Sequence, residues 1–296
     1  MTGPLVTATW LRERLADREG GAPLRIVDCR YRLGEPGAGE RLWREGHIPG
    51  AAFLDLDRDL AAPPGERGRH PLPDPAVFEA AVRRAGVGPD TLVVAYDEAG
   101  EGGAARLWWL LRHFGHEKVA VLDGGLRGWR EEGGELSAEP AEPSPEGGDD
   151  TEAEGFRAGA RSPSHRIEEL GLGAFRFHFA TENASPPMTI LDARVPERYR
   201  GEVEPIDPVA GRIPGAVNMP FVELAPEGRF LPSDELRARF EAAGVESGDE
   251  AVAYCGSGVT ACVIALAAEV AGIGATRLYP GSWSEWCARD LPVERG

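Results

Sequence analysis

Four short segments of this 296-residue chain occur twice, in the same order and at nearly constant separation. Ile26-Val-Asp28-Cys-Arg30 is answered by Ile190-Leu-Asp192-Ala-Arg194, 164 positions later. Gly46-His-Ile-Pro-Gly50-Ala is answered by Gly211-Arg-Ile-Pro-Gly215-Ala, 165 later. Val94-Ala-Tyr-Asp97 returns as Val252-Ala-Tyr-Cys255, 158 later, and Asp123-Gly-Gly-Leu-Arg-Gly-Trp129 stands against Pro280-Gly-Ser-Trp-Ser-Glu-Trp286, 157 later. Four colinear matches identify a tandem duplication, so both halves must adopt one fold.

Within the first copy, apolar runs that read as buried strands (Leu24–Asp28, Thr91–Tyr96, Val119–Leu122) alternate with segments of helical period. Thr9 is the expected cap of a short helix ending near residue 16, and a helix over 75–84 begins after Asp74 and stops at Gly86. A third helix, 104–114, carries the stripe Leu107, Trp108, Leu110, Leu111 and Phe114, which must face a sheet. Strands separated by helices require crossover connections and hence a parallel sheet. The expected architecture is α/β, with domains over 1–134 and 156–296. Between them, 135–155 holds eight acidic residues, three prolines and no Lys or Arg, the composition of an extended, solvated linker.

Net charge is −17, from 32 Lys and Arg against 49 Asp and Glu. That balance opposes nucleic-acid binding, which needs a basic face, yet a few arginines focused in a cleft can still hold a small anion. No uncharged apolar run is long enough to span a membrane, and the first residues lack the pattern of a secretory signal, so a cytoplasmic protein is expected. The cysteines Cys29, Cys255, Cys262 and Cys287 have no metal- or redox-pair spacing, which points to free thiols in a reducing compartment. The six histidines are scattered, and neither metal nor cofactor is expected.

The second copy differs from the first at one informative position. An apolar run, 251–254, ends at Cys255; Gly256-Ser257-Gly258-Val259-Thr260 follows, and then an alanine-rich helical segment. A strand, a tight loop and a helix N-terminus meeting at a thiol form a cradle for an anion. A thiol so placed is expected to ionise more readily than a free one. An arbitrary cysteine is more often a packed core residue, and that reading stands for the other three. In the first copy the position is Asp97, an ordinary helix cap, so that copy keeps the fold without the chemistry. One active site, walled by the non-catalytic copy, is the expectation.

These residues resemble the two-domain rhodanese-type sulfurtransferases. The likeness covers nearly the whole chain outside the linker. It is most specific in Asp192-Ala-Arg194 with Arg198-Tyr-Arg-Gly201, in the 212–220 segment Arg-Ile-Pro-Gly-Ala-Val-Asn-Met-Pro, and in Cys255-Gly-Ser-Gly-Val-Thr260. The resemblance implies two rhodanese-like domains, each a mainly parallel five-stranded sheet flanked by helices. It implies a persulfide on Cys255 that carries sulfur from a small anionic donor to a thiol, thioredoxin-like or cyanide acceptor. The neutral Gly256-Ser257 pair looks like the 3-mercaptopyruvate type rather than the thiosulfate type, which carries basic residues there. For that type the resemblance implies Ser257, His70 and Asp57 beside the cysteine, the last two from the first domain. Arg198 matches a substrate-binding arginine, and Gly256, Gly258, Val259 and Thr260 form the cradle. A second family arginine would fall at Asp207 and is missing; Arg212, in place of the family's histidine, is the candidate to supply its charge.

Three other readings compete. A phosphatase on the same fold uses Cys-x5-Arg, but the sixth residue after Cys255 is Ala261. A disulfide oxidoreductase needs a resolving thiol, and Cys262 is two helical turns away. A persulfide carrier or docking module without efficient turnover would share the same cradle.

Overall fold

A computed structural model describes residues 3–17, 22–139, 156–159, 169–173 and 188–296. The chain forms two compact units. The first comprises Met1–Ala62, Pro73–Arg166 and Glu227–Arg229; the second comprises Pro63–Leu72, Ile167–Pro226 and Phe230–Gly296. The short segment 63–72 of the first sequence copy therefore belongs to the second unit, and His70, expected from the first domain, goes with it. Most of the expected linker, 140–155, lies outside the described residues. Its first residues are not extended into solvent: Ser137 pairs with His47 in an antiparallel bridge, and Trp129 Nε1 donates to the carbonyl of Glu135 at 2.8 Å.

The first unit is built on β1 (Leu5–Val6), β2 (Leu24–Asp28), β3 (Ala52–Phe53), β4 (Leu92–Tyr96) and β5 (Val119–Leu122), ordered β1-β5-β4-β2-β3. Every pairing is parallel, as the alternation of strands and helices requires. The helix Pro75–Arg84 starts and stops where expected. Asp74 accepts from the N–H groups of Ala76 and Val77, and Gly86 takes φ +78 beyond its end. The first helix, Ala8–Ala16, is capped by Thr7 rather than Thr9. Leu5 and Val6 are drawn into the sheet as an edge strand, which moves the cap two residues earlier, and Thr9 Oγ1 donates instead to Glu132. The helix Gly103–His113 is buried on all sides through Leu111, with Trp108 and Trp109 at the centre, so its apolar stripe is broader than one sheet-facing face.

The second unit repeats the plan with β6 (Thr189–Asp192), β7 (Val217–Asn218), β8 (Ala251–Tyr254) and β9 (Arg277–Leu278), all parallel, in the order β7-β6-β8-β9. Its sheet has four strands among the described residues, not five. At the place where β1 pairs with β5 there is a single parallel bridge, Glu169 to Leu278, with Leu170 N donating to Leu278 O at 2.7 Å. The backbone becomes helical at Leu172, between two glycines, and the pairing stops there.

The duplicated motifs are one buried polar network made twice. Arg30 lies in a 2.7 Å ion pair with Asp28 Oδ2, the same oxygen accepts from Tyr96 Oη, and Tyr96 Oη accepts the N–H of Ile48 at 3.2 Å. In the second unit Arg194 pairs with Asp192 at 2.7 Å, Tyr254 Oη donates to Asp192, and Ile213 N donates to Tyr254 Oη at 3.2 Å. Remaining guanidinium N–H groups reach Gly46 O and Gly211 O, each at 2.8 Å. Burying such charges is tolerable only when the pair is hydrogen-bonded on nearly every side. The invariant core of the repeat is therefore set by Asp, Arg and Tyr as much as by apolar residues. This network fixes the carboxyl ends of the central strands, where the Asp97 and Cys255 loops begin.

Candidate active site

Asp97 and Cys255 occupy equivalent points. The carbonyl of Asp97 accepts the N–H of Leu126 at 2.9 Å, and that of Cys255 accepts the N–H of Trp283 at 3.0 Å. In the first unit the cradle is filled from within. The Asp97 carboxylate accepts from Gly100 at 2.7 Å, Gly102 at 3.0 Å and Ala104 at 3.2 Å. Burial raises the pKa of Asp97 above the ordinary aspartate value, although these N–H groups oppose the shift.

In the second unit the cradle holds a thiol. Cys255 is 2% exposed, and its Sγ accepts the N–H of Gly258 at 3.1 Å. Its own N–H donates to Ser282 Oγ at 3.1 Å, and that hydroxyl donates in turn to Tyr279 O. Gly258 has φ +79, and a β-carbon there would stand 2.5 Å from Pro280 O. The loop therefore turns its N–H back onto the sulfur only with glycine at this point. Gly256, Ser257 and Val259 are buried, and Thr260 is half-buried at the start of the helix Ala261–Val270.

The other cysteines are core residues. Burial first, and then the carboxylates of Asp28, Asp97 and Asp59, push the Cys29 thiol well up. Cys262 is the second residue of its helix, in the first turn rather than two turns along as expected, with its Sγ 3.4 Å from Gly258 O. Burial and the nearby Asp207 raise Cys287.

Ser257 and His70, far apart in sequence, meet: His70 Nδ1 is 2.7 Å from Ser257 Oγ, and both residues are buried. Asp57 is an exposed turn residue of the first unit, and its N–H donates to Asp55 Oδ1 at 3.0 Å.

Arg198 is held by Glu204, which takes its Nε at 3.2 Å and Nη2 at 2.6 Å, and Nη2 also reaches Asp207 at 3.3 Å. Arg212 does not supply the missing charge here. Its Nη1 donates to Gly296 O at 2.6 Å, its Nη2 pairs with Glu294, and its guanidinium lies 4.4 Å over the ring of Tyr199. The arginine thus clamps the C-terminal residues, whose backbone it also pairs with.

The residue that sequence reasoning passes over is Arg69. Its Nη1 donates to Asp207 Oδ1 at 2.9 Å, and an added β-carbon on Gly256 would lie 3.2 Å from Arg69 Nη2 and 3.5 Å from Arg198 Nη1. Two guanidiniums therefore border the residue after Cys255. Arg69 sits in a Pro/Gly/Arg loop, and its only sequence signal is that it immediately precedes His70.

The rhodanese-like domain family matches residues 7–132 and 179–289. A probable 3-mercaptopyruvate sulfurtransferase of Pseudomonas aeruginosa is 44% identical, covering 95% of this chain and 94% of its own. A putative thiosulfate sulfurtransferase of Mycobacterium tuberculosis is 42% identical over 99% of this chain and 97% of its own. The solved structure of SseA from Escherichia coli, described as a 3-mercaptopyruvate sulfotransferase with the rhodanese fold, superposes with a TM-score of 0.73 at 36% identity. The match covers 96% of this chain and all of that one. Among the described residues, no helix is long and apolar enough to cross a membrane.

Proposed function

The chain belongs to the rhodanese-like family and is a sulfurtransferase, and we propose that it carries sulfur as a persulfide on Cys255, with 3-mercaptopyruvate as the preferred donor. The observation that carries this reading is the Cys255 thiol, held by the Gly258 N–H in a loop whose next residue faces two guanidiniums.

In the first half-reaction the Cys255 thiolate attacks the donor sulfur. An S–S bond forms, the donor C–S bond breaks, and the electron pair leaves as an enolate that takes up a proton to become pyruvate. The cradle N–H stabilises the anionic sulfur throughout, because it is already oriented and needs no reorganisation. The buried Ser257–His70 pair supplies a proton route at the donor. Asp57 enters this scheme through the family resemblance alone. In the second half-reaction a thiolate or cyanide takes the outer sulfur and restores the Cys255 thiolate.

The preference for 3-mercaptopyruvate rests on the loop. Gly256 and Ser257 carry no charge, while a dianionic donor calls for cations directly beside the sulfur. Two relatives of nearly equal identity bear different donor names, so relatedness does not choose between them.

The test compares kcat/KM for 3-mercaptopyruvate and thiosulfate on one preparation, with mass spectrometry of the donor-treated protein. A gain of one sulfur atom on Cys255, lost in Cys255→Ser together with turnover, is the expected result. Full activity in Cys255→Ser would refute the mechanism. A stable persulfide without multiple turnovers would make the chain a carrier instead.

A further inference from the structure

We propose that Arg69 completes the anion-binding pair with Arg198, and that Asp207 occupies this pair in the ligand-free protein, so that the donor's carboxylate enters by displacing an internal carboxylate. The proposal deepens the sulfurtransferase reading and rests on it for the identity of the ligand.

The geometry is that of a filled site. Asp207 is nearly buried, with a side chain 4% exposed, and its Oδ1 is 2.9 Å from Arg69 Nη1. Its Oδ2 lies 3.3 Å from Arg198 Nη2 and 3.5 Å from Arg69 Nη2. Both guanidiniums therefore converge on one carboxylate, as they would on a carboxylate from solution. Among the described residues, the Asp207 carboxylate accepts hydrogen bonds from no other group.

Glu204 shows what a permanent partner looks like by contrast. It binds Arg198 through both oxygens, accepts the N–H groups of Ile206 and Asp207 at 3.1 Å each, and lies 3.5 Å from Arg194. Glu204 positions Arg198; Asp207 is held only by the two cations that an anion would need. With both carboxylates in place, the pair of arginines presents no excess positive charge, so a donor gains little until Asp207 gives way.

Arg69 is placed rather than trailing. Gly65 and Gly68 exchange backbone hydrogen bonds at 3.0 Å, and Gly68 (φ +98) packs against Gly281. The Arg69 N–H donates to Ser284 Oγ at 3.0 Å. Its Nε is buried with no hydrogen-bond partner among the described residues, a donor left over for a ligand oxygen. The arginine that the family resemblance places at position 207 has become a carboxylate, and the segment 63–72 brings in the replacement cation. Small carboxylates are the ligand class that fits.

Pyruvate, which has the donor's carboxylate but no transferable sulfur, is the probe. Its affinity is read by calorimetry in the full chain and in Arg69→Ala, Asp207→Asn and Asp207→Ser. Loss of one charged hydrogen-bonding partner weakens binding about tenfold to a hundredfold in Arg69→Ala. Removal of the internal competitor tightens pyruvate binding by about threefold to tenfold in both Asp207 variants, with KM for 3-mercaptopyruvate falling in step. Unchanged or weaker pyruvate binding in both Asp207 variants would overturn the proposal, as would failure of the full chain and of both Asp207 variants to bind pyruvate at all. Calorimetry needs no turnover: tighter pyruvate binding in the Asp207 variants without persulfide on Cys255 would sink the sulfur-transfer reading and leave this one standing.

Discussion

His70 Nδ1 stands 2.7 Å from Ser257 Oγ, joining residues 187 positions apart inside one compact unit. The contact exists because the 63–72 segment leaves the first sequence copy and packs on the start of the helix Ser282–Ala288. A histidine on a mobile surface loop would have no reason to meet a buried hydroxyl. As a proton route the pair acts as a unit, so its members should not contribute additively. His70→Ala and Ser257→Ala should each lower kcat about a hundredfold, and the double variant little more than either. Steady-state kinetics across pH checks this. A simple product of the two single effects would argue for two unrelated structural roles.

The Asp–Arg–Tyr networks offer an internal comparison. Tyr96→Phe and Tyr254→Phe each strip a hydroxyl from a buried carboxylate and leave the N–H of Ile48 or Ile213 without its acceptor. Each substitution should cost about 1–3 kcal/mol in denaturant unfolding. Only Tyr254→Phe should also lower kcat/KM, because Tyr254 ends the strand that carries Cys255. A Tyr96→Phe variant as stable as the parent would mean that the network can close over the loss.

How much of this was legible beforehand varies with the range of the interaction. The parallel sheets, the helix from Pro75 to Arg84 and the equivalence of Asp97 with Cys255 follow from local pattern and from the repeat, and all are present. The misplaced cap at Thr9 is a local error with a non-local cause, since pairing of Leu5 and Val6 with β5 decides where the helix begins. Arg212 and Arg69 lie beyond local reasoning. Glu294 claims Arg212 across 82 residues, and Asp207 meets Arg69 across 138. Nothing near an arginine in the sequence says which carboxylate will find it.

Glu101, in the first unit, gives a pH signature. Burial, reinforced by the Asp97 charge and opposed by Arg32, raises its pKa to about 6. The folded chain therefore holds this proton more tightly than the unfolded one. The stability it contributes is complete below the ordinary glutamate value of 4.5 and lost as pH rises through about 6. Asp97, raised in the same direction, adds to the slope. Thermal melting between those limits should show a decline with rising pH that is shallower in Glu101→Gln. Parallel curves for the two proteins would remove Glu101 as a contributor.

The two glycines after Cys255 should behave differently. Gly258 has φ +79, and a methyl group would meet the Pro280 carbonyl at 2.5 Å, backbone against backbone. Gly258→Ala must therefore move the loop, at a cost of about 1–3 kcal/mol, and with it the N–H that holds the Cys255 sulfur. Turnover should collapse along with persulfide formation. A methyl group on Gly256 meets only guanidinium ends, Arg69 Nη2 at 3.2 Å and Arg198 Nη1 at 3.5 Å. Flexible side chains can yield at that distance, so Gly256→Ala should fold normally and still form the persulfide. Its effect should appear as a raised KM for an anionic donor, because the arginines that receive the anion are what the methyl group displaces. Kinetics and persulfide mass spectrometry on both variants separate the two roles. If Gly256→Ala instead lost persulfide formation at an unchanged donor KM, the guanidiniums beside Gly256 would not be where the donor binds.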